Sequence, residues 1–291
     1  MSASISCTPS AQPYPGPRPS RVEPPLPHRA LGEPRATITG RATIARRKAV
    51  AAIRLLEHLP DLAADLENGQ AASAYRALTI PAIELGPGGC ETGDWETIPP
   101  VTGHPFGMLV VEGLLAREVR LGDRTSTNLY GPGDILDLRT DQGSSLAAGA
   151  RLMCPEVAVI ALLDDRVLIA MREWPRMIAR LFAVAMRQLE RADINAAIGR
   201  LERVEDRLLG FFWLLADRWG RRGPDGIVIE QPLTHEAIGQ LIGARRPTVS
   251  LGLRALSERR ALHRRADGTW LLSPDSLSRL IDVDPPGSPI F

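Results

Sequence analysis

The chain has 291 residues, 44% hydrophobic and 24% charged, which suffices for one large or two modest globular domains. Its 35 lysines and arginines nearly balance 34 acidic residues, so any preference for an anionic partner must come from local charge placement. No apolar run approaches the roughly 18 residues that cross a bilayer, so we expect no membrane partner. The N-terminal stretch lacks the basic start and apolar core of a secretory signal, so we expect a cytoplasmic protein.

The first 40 residues differ in composition from the rest of the chain. They contain nine of the 25 prolines and only five residues of the Val, Ile, Leu and Phe set. Such a segment cannot bury enough apolar surface to offset the entropy of ordering, so we predict a disordered tail over residues 1–40. Its arginines exceed its glutamates by only two, which is weak support for a nucleic-acid tether.

The next segment is first helical and then extended. Apolar residues recur at helical spacing over 44–66 and are interrupted at Pro60, which predicts two short helices. From Leu78 to Leu163, short stretches alternate with turns at 85–89, 103–107, 122–124, 131–134 and 143–145. This pattern predicts an antiparallel β-roll or small barrel.

One stretch of that roll shows the alternation of a half-buried strand. Leu115, Val119 and Leu121 are interleaved with Ala116, Glu118 and Arg120. The period of two predicts one face toward the core and one toward solvent.

After Pro175 the pattern predicts a long helix. Apolar residues follow steps of four and three along one stripe, which consists of Ile178, Phe182, Ala185, Leu189, Ala192 and Ala196. The spacing by itself favours packing on the chain's own domain, because most amphipathic helices face their own core, and leaves pairing with a second copy as the alternative. A further helix is predicted from Val204 to Trp219, where Gly220 ends it.

The segment 233–272 contains the pieces of two short helices joined by a sharp turn. Thr234 is a candidate N-cap, Gly243 permits the turn, and Pro247 opens the second helix. The residues expected to point inward are Ala237, Ile238, Leu241 and Ile242 in the first helix, and Val249, Leu253 and Leu256 in the second.

The outward face of the second helix is polar and basic. It carries Arg246, Ser250 and Arg254 at i, i+4 and i+8, with Arg245 and Thr248 beside its N-terminus. This geometry is suited to the major groove of double-stranded DNA.

A hairpin follows the second helix. Asp267-Gly268 fits a two-residue turn, which places Arg264 and Arg265 on a wing near a phosphate backbone. Seven arginines and one acidic residue lie between Ala244 and Arg265, a local charge of +6. The alternatives are a helical hairpin that binds a protein and a solvated charged face.

These residues, and the order of the segments, resemble the CRP/FNR family of transcription regulators. The resemblance is strong over residues 200–272 and weak in the roll. In the roll it rests on the Gly-Pro-Gly-Asp turn at 131–134, which precedes a strand. The resemblance implies an α+β fold. Its parts are a cyclic-nucleotide-binding-like β-roll in 41–170, a dimerisation helix in 171–199 and a winged helix-turn-helix in 200–291. It also implies a homodimer joined through the apolar stripe, with double-stranded DNA and RNA polymerase as partners.

The same resemblance implies roles for single residues. Thr234 and Thr248 match phosphate-contacting positions, and Arg246 and Arg254 match the base-reading side of the recognition helix. Where many members have a guanine-reading arginine, this chain has Leu251, which can contact a thymine methyl but donates no hydrogen bond. We therefore expect a different preferred half-site.

The effector is less well defined. Cyclic-nucleotide binders of this family carry a Gly-Glu stretch and then an Arg-Ser/Thr pair after the Pro-Gly-Asp turn, and residues 135–148 contain neither. Without that arginine we do not expect cyclic AMP in the usual mode, although Arg139 or Arg151 could substitute. We identify no cofactor and expect an unknown small-molecule effector in the roll.

Other chemistry has little support. Cys90, His104 and Cys154 lack the spacing of metal ligands, so we expect no metal site. The sequence shows no nucleophile with a nearby base, so we do not expect an enzyme. His235 and His263 are expected to touch phosphate or solvent. A second hypothesis is a binding or scaffold module, whose basic winged helix meets nucleic acid non-specifically or an acidic protein.

Overall fold

The computed structural model describes residues 47–91, 105–122, 124–136, 150–231 and 233–281. The tail predicted over 1–40, the turn at 143–145, His104 and most of the stretch 135–148 lie outside these ranges. The N-terminal part contains β1 (Arg47–Arg54), α1 (Leu55–His58), α2 (Asn68–Ala77), β2 (Thr79–Leu85), β3 (Gly88–Glu91), β4 (Pro105–Glu112), β5 (Leu115–Leu121), β6 (Arg124–Tyr130), β7 (Ile135–Leu136), β8 (Ala150–Cys154) and β9 (Ala158–Asp164).

The C-terminal part is mainly helical. It contains α3 (Asp165–Met171), α4 (Pro175–Gly199), α5 (Val204–Trp219), β10 (Arg221–Gly223), β11 (Gly226–Ile229), α6 (His235–Ile242), α7 (Arg246–Glu258), β12 (Leu262–Arg264), β13 (Trp270–Leu272) and α8 (Ser278–Ile281). The fold class is α+β, as the sequence predicted. None of the helices in the described ranges is both long and apolar enough to span a bilayer.

Two antiparallel sheets form the roll. One has the strand order β1-β2-β9-β4-β7 and the other has the order β3-β8-β5-β6. Alternate residues of β4 enter different cores: Met108 and Val110 face the second sheet, whereas Leu109 and Val111 pack toward α4. Because both faces of this strand are covered, its apolar residues form a continuous run rather than an alternating pattern.

The start of the described chain corrects one prediction. The segment 44–66 was expected to hold two helices, but residues 47–54 form strand β1, which pairs antiparallel with β2. A short helix, α1, follows, and a 3-10 helix then begins at Pro60. Ile53 in β1 and Leu56 in α1 therefore belong to different elements, and their separation of three residues imitates the spacing of one helix.

Strand β5 also departs from the expected alternation. Leu115 and its neighbour Ala116 are both buried, while Leu121 is 57% exposed. Leu115 lies between the two sheets, and Ala116 packs against the cluster that contains α5 and α6. Both faces of the strand are therefore covered at its start, and neither is covered at its end.

The C-terminal helices pack around one aromatic centre. Phe212 of α5 lies 4.8 Å from Trp270 of β13, centroid to centroid, and both side chains are fully buried. The sheet β10-β11-β13-β12 covers this centre. The same hydrophobic cluster includes Leu129 and Met153 of the roll, so the C-terminal helices dock directly on the second sheet.

A close contact between the roll and α5 requires glycine at position 131. A Cβ placed on Gly131 would overlap the indole ring of Trp219. The Trp219 Nε1–H also donates to the Pro132 carbonyl oxygen at 3.4 Å. The ring is therefore held against the turn that begins at Gly131.

We predict that Gly131→Ala destabilises the protein by about 1–3 kcal/mol, because the added methyl must displace the Trp219 ring. Urea unfolding of the full chain measures the change. Gly69→Ala in α2 is the matched control, since nothing lies within 4 Å of its Cβ position and alanine favours a helix. Equal stability of the two variants would contradict the close contact.

Candidate nucleic-acid interface and its connection to the roll

Helix α6 begins at a side-chain cap. Thr234 Oγ1 accepts a hydrogen bond from the Ala237 N–H at 3.1 Å, as the sequence predicted. The helix ends at Gly243, whose φ of 66° lies in the left-handed region. This conformation lets the chain reverse within three residues and start α7 at Arg246.

Helix α7 packs through its predicted apolar residues. Val249, Leu253 and Leu256 are buried. A Cβ at Gly252 would lie 2.7 Å from Leu208 Cδ1, so this face of α7 sits tightly on α5. The opposite face must then point outward, and Leu251 is 69% exposed there.

The exposed face combines free and paired arginines. Arg245 and Arg246 are exposed and form no salt bridge among the described residues, so their guanidinium groups are available to phosphate or base edges. Arg254 donates to Glu258 at 3.0 Å, but both side chains are exposed, and such pairs contribute little stability. DNA can therefore compete for Arg254.

Three more predicted contact residues lie in or beside this surface. Thr248 is exposed in the first turn of α7. Thr234 is half-buried because its hydroxyl caps α6. Ser250 is half-buried, and its hydroxyl lies 2.9 Å from His235 Nδ1 and 3.1 Å from the Arg246 carbonyl oxygen. Its hydrogen bonds thus join α6 to α7.

The wing lies beside the N-terminus of α6. Gly268 adopts φ 88°, and Asp267 accepts from the Thr269 N–H at 2.9 Å, which closes the turn. Arg264 and Arg265 are exposed on this hairpin. Arg264 lies 5.6 Å from the Trp270 ring centroid, so its guanidinium is held near α6.

His235 is one of the two histidines that the sequence predicted to touch phosphate or solvent. It is the first residue of α6, and burial, together with the positive charges of Arg264 and Arg246, lowers its pKa. The sequence shows that His235 follows the cap residue Thr234. It does not show that Arg246 and Arg264 lie close to the His235 ring.

The apolar stripe of α4 is largely exposed rather than packed into the chain's own core. Met177, Leu181 and Val184 are buried against the roll, whereas Phe182 is 67% and Leu189 is 60% exposed. Ile178 and the three stripe alanines are exposed as well: Ala185, Ala192 and Ala196. Spacing alone favoured packing of this stripe on the chain's own domain, and that interpretation is wrong. The residues of α4 that pack on the roll are Met177, Leu181 and Val184, which form a neighbouring stripe.

A cavity of about 540 Å³ lies between β6, β7, α4 and α5. Its walls are mainly apolar and include the stripe residues Ile178, Phe182 and Leu189. Polar groups on the walls are already bonded: Asn195 donates to Asn128 at 3.1 Å, and Gln188 accepts from the backbone of β7. The volume falls in the range of small-molecule sites.

A buried carboxylate joins the roll to both long helices. Asp134 ends the Gly-Pro-Gly-Asp turn and is 3% exposed. It accepts hydrogen bonds from Arg218 of α5, from Arg191 of α4 at 3.4 Å and from the Gly131 N–H at 2.8 Å. Burial raises the pKa of Asp134, and the two guanidinium groups and the amide oppose that rise.

Arg218 is fixed from several sides. It donates to the Leu129 carbonyl oxygen at 3.2 Å and stacks on Trp219, with the guanidinium carbon 3.8 Å from the ring centroid. Sequence reasoning missed this cluster, because Asp134 and Arg218 lie far apart in the chain. The structure therefore connects the turn of the roll to the helix that carries the winged domain through an ion pair and hydrogen bonds.

No metal site is formed in the part of the chain that the structure describes: no three His, Cys, Asp or Glu side chains come together there. Cys154 is buried, and its thiol donates to the Glu156 carbonyl oxygen.

Comparisons with known proteins agree with this geometry. A family model described as a Crp-like helix-turn-helix domain matches residues 206–280. The regulatory protein CysR of Synechococcus elongatus is 27% identical over 159 residues, which cover 54% of this chain and 70% of CysR.

Solved structures of regulators are also similar. A CooA mutant from Carboxydothermus hydrogenoformans is 24% identical with a TM-score of 0.48, covering 60% of this chain and 77% of CooA. FixK2 from Bradyrhizobium japonicum is 19% identical with a TM-score of 0.49, covering 64% of this chain and 91% of FixK2.

We predict that Asp134→Asn lowers the free energy of unfolding by about 3 kcal/mol, because the neutral amide leaves the buried Arg218 guanidinium without its counter-charge. Urea unfolding measures the loss. Glu258→Gln, which breaks an exposed pair, should change stability by less than about 0.5 kcal/mol. The importance of the buried pair is refuted if both variants are equally stable.

Proposed function

We propose that the chain is a transcription regulator of the CRP/FNR family, which the match to a Crp-like helix-turn-helix domain and the similarity to CysR support, and that it acts as a homodimer that reads a pseudo-palindromic operator through α7. In this proposal residues 41–170 sense a signal, 171–199 dimerise and 200–291 bind double-stranded DNA. The observation that carries the proposal is the exposed face of α7, where Arg245 and Arg246 have no salt-bridge partner among the described residues.

Each residue of the surface has a proposed role. Arg246 reads a base edge, because it stands at the N-terminal end of α7, and Arg254 does so after it leaves Glu258. Leu251 contacts a thymine methyl. The DNA phosphates are neutralised by Arg245, Arg264 and Arg265. The sugar-phosphate backbone of the DNA is also contacted at the helix N-termini by Thr234 and Thr248. Ser250 holds the two helices in register.

The homodimer is supported by the exposed stripe of α4. Large apolar side chains such as Phe182 and Leu189 are exposed along one face of a 25-residue helix. An exposed apolar strip of this length is unusual on a monomer, and a second copy of α4 offers a matching surface by two-fold symmetry.

Control by an effector is supported by the cavity beside that stripe. A ligand there contacts β6, α4 and α5 together, so it can bind two arrangements of the dimer with different affinities. Cyclic AMP in the usual mode is not part of the proposal. RNA polymerase is proposed as a partner on the resemblance to the CRP/FNR family alone.

The experiment is selection of bound duplexes from a random pool by the full chain at physiological salt. We expect an inverted repeat with half-sites one helical turn apart. If the protein alone recovers none, the selection is repeated with a small-molecule extract to supply an effector. Salt-dependent binding without sequence preference in both arms would favour a non-specific binding module instead.

On the selected duplex, we predict that Arg246→Ala weakens binding by about 1–3 kcal/mol and relaxes the preference at one base pair. Arg265→Ala should weaken binding to all sequences alike and reduce the salt dependence by about one phosphate contact. Arg120→Ala, an exposed arginine on β5, is the control and should bind like the wild type. Fluorescence anisotropy at several salt concentrations measures all three.

We predict that Phe182→Asp converts the dimer to a monomer, because the charge must be buried in the helix seam. Light scattering after size-exclusion chromatography measures the mass. Leu121→Asp replaces a side chain that is 57% exposed on β5 and should leave the mass unchanged. A dimer that survives Phe182→Asp would place the interface elsewhere.

A further inference from the structure

The hydrogen bonds between α6 and α7 determine which nitrogen of the neutral His235 ring carries hydrogen. The Ser250 hydroxyl lies 2.9 Å from His235 Nδ1 and 3.1 Å from the Arg246 carbonyl oxygen. A hydroxyl has one hydrogen, and a carbonyl can only accept, so Ser250 donates to Arg246 and accepts from His235 Nδ1–H. The neutral ring therefore leaves Nε2 with a lone pair and no hydrogen.

The groups around His235 favour the neutral form of its ring in the free protein. Burial lowers the pKa of His235 most, and Arg264 on β12 and Arg246 on α7 lower it further. On β13 the ring meets the uncharged Trp270, 6.4 Å away between centroids. Glu236 is the neighbouring residue on α6 itself. The same two arginines lie on the proposed DNA-facing surface.

A phosphate oxygen only accepts hydrogen bonds, so the neutral ring with a bare Nε2 has nothing to donate to it. After protonation, Nε2 donates while Nδ1 keeps its bond to Ser250. We propose that His235 is a phosphate-contacting residue whose contact with DNA requires uptake of a proton at Nε2, and that Ser250 is the positioning residue that imposes this requirement. The inference rests on the proposed DNA-binding function.

The sign of the pH dependence follows from the charges. Bound phosphates offset the positive charges of Arg246 and Arg264 and raise the pKa of His235 in the complex. Binding therefore takes up a proton. The gain in affinity is complete below the pKa of the free protein and is lost as the pH rises through the pKa of the complex.

The test measures the affinity for the selected duplex between about pH 6 and about pH 8 at constant ionic strength. The wild type should lose about tenfold in affinity across this range, because one proton is linked to binding. Calorimetry in buffers of different ionisation enthalpy should show proton uptake. His235→Gln should bind more weakly at low pH and show no slope, whereas His58→Gln, the control on α1 of the roll, should keep the slope.

Ser250→Ala separates positioning from a purely structural role. Without the hydroxyl, the neutral ring can carry its hydrogen on Nε2 and donate to phosphate without a proton from solution. The affinity at high pH should therefore rise toward the value at low pH, and the slope should flatten. Ser250→Thr keeps the hydroxyl and should keep the slope.

The outcomes are distinguishable. Binding that is independent of pH in the wild type, a slope that persists in His235→Gln, or Ser250→Ala binding more weakly at every pH overturns this inference and leaves the proposed function intact. Failure to bind any selected duplex at any pH overturns both.

Discussion

The buried carboxylate of Asp134 is the point at which the three parts of the molecule meet. It ends a turn of the roll and is held by Arg191 of α4 and Arg218 of α5. A charge that is 3% exposed is tolerated only while these partners remain in place. The position of the winged domain on the roll therefore depends on the Asp134–Arg218 pair. It also depends on the Trp219 ring that stacks on Arg218, and on Gly131, which leaves room for that ring.

The helix-turn-helix was predictable because its determinants are local. The cap at Thr234, the left-handed Gly243 and the inward spacing of Val249 and Leu253 act within a few residues of one another. The Asp134–Arg218 pair was not predictable, since 84 residues separate its members and neither residue type is unusual in its own segment.

Helix α4 shows why spacing alone misjudged one face. It carries two apolar stripes, one through Met177 and Leu181 and another through Phe182 and Leu189, and either satisfies the period of a helix. Only the packed structure shows that the first meets the roll and the second stays exposed. Strand β1 was missed for a related reason, since its last apolar residue and those of α1 fall at helical spacing.

In the proposed dimer, the paired α4 helices set the distance between the two α7 recognition helices. Hydroxyl-radical footprinting of the full chain on its selected duplex tests this most directly. We predict two protected patches on one face of the duplex, with centres about 10 base pairs apart. A single protected patch, or equal protection along the whole duplex, would contradict the proposal that a dimer reads the operator.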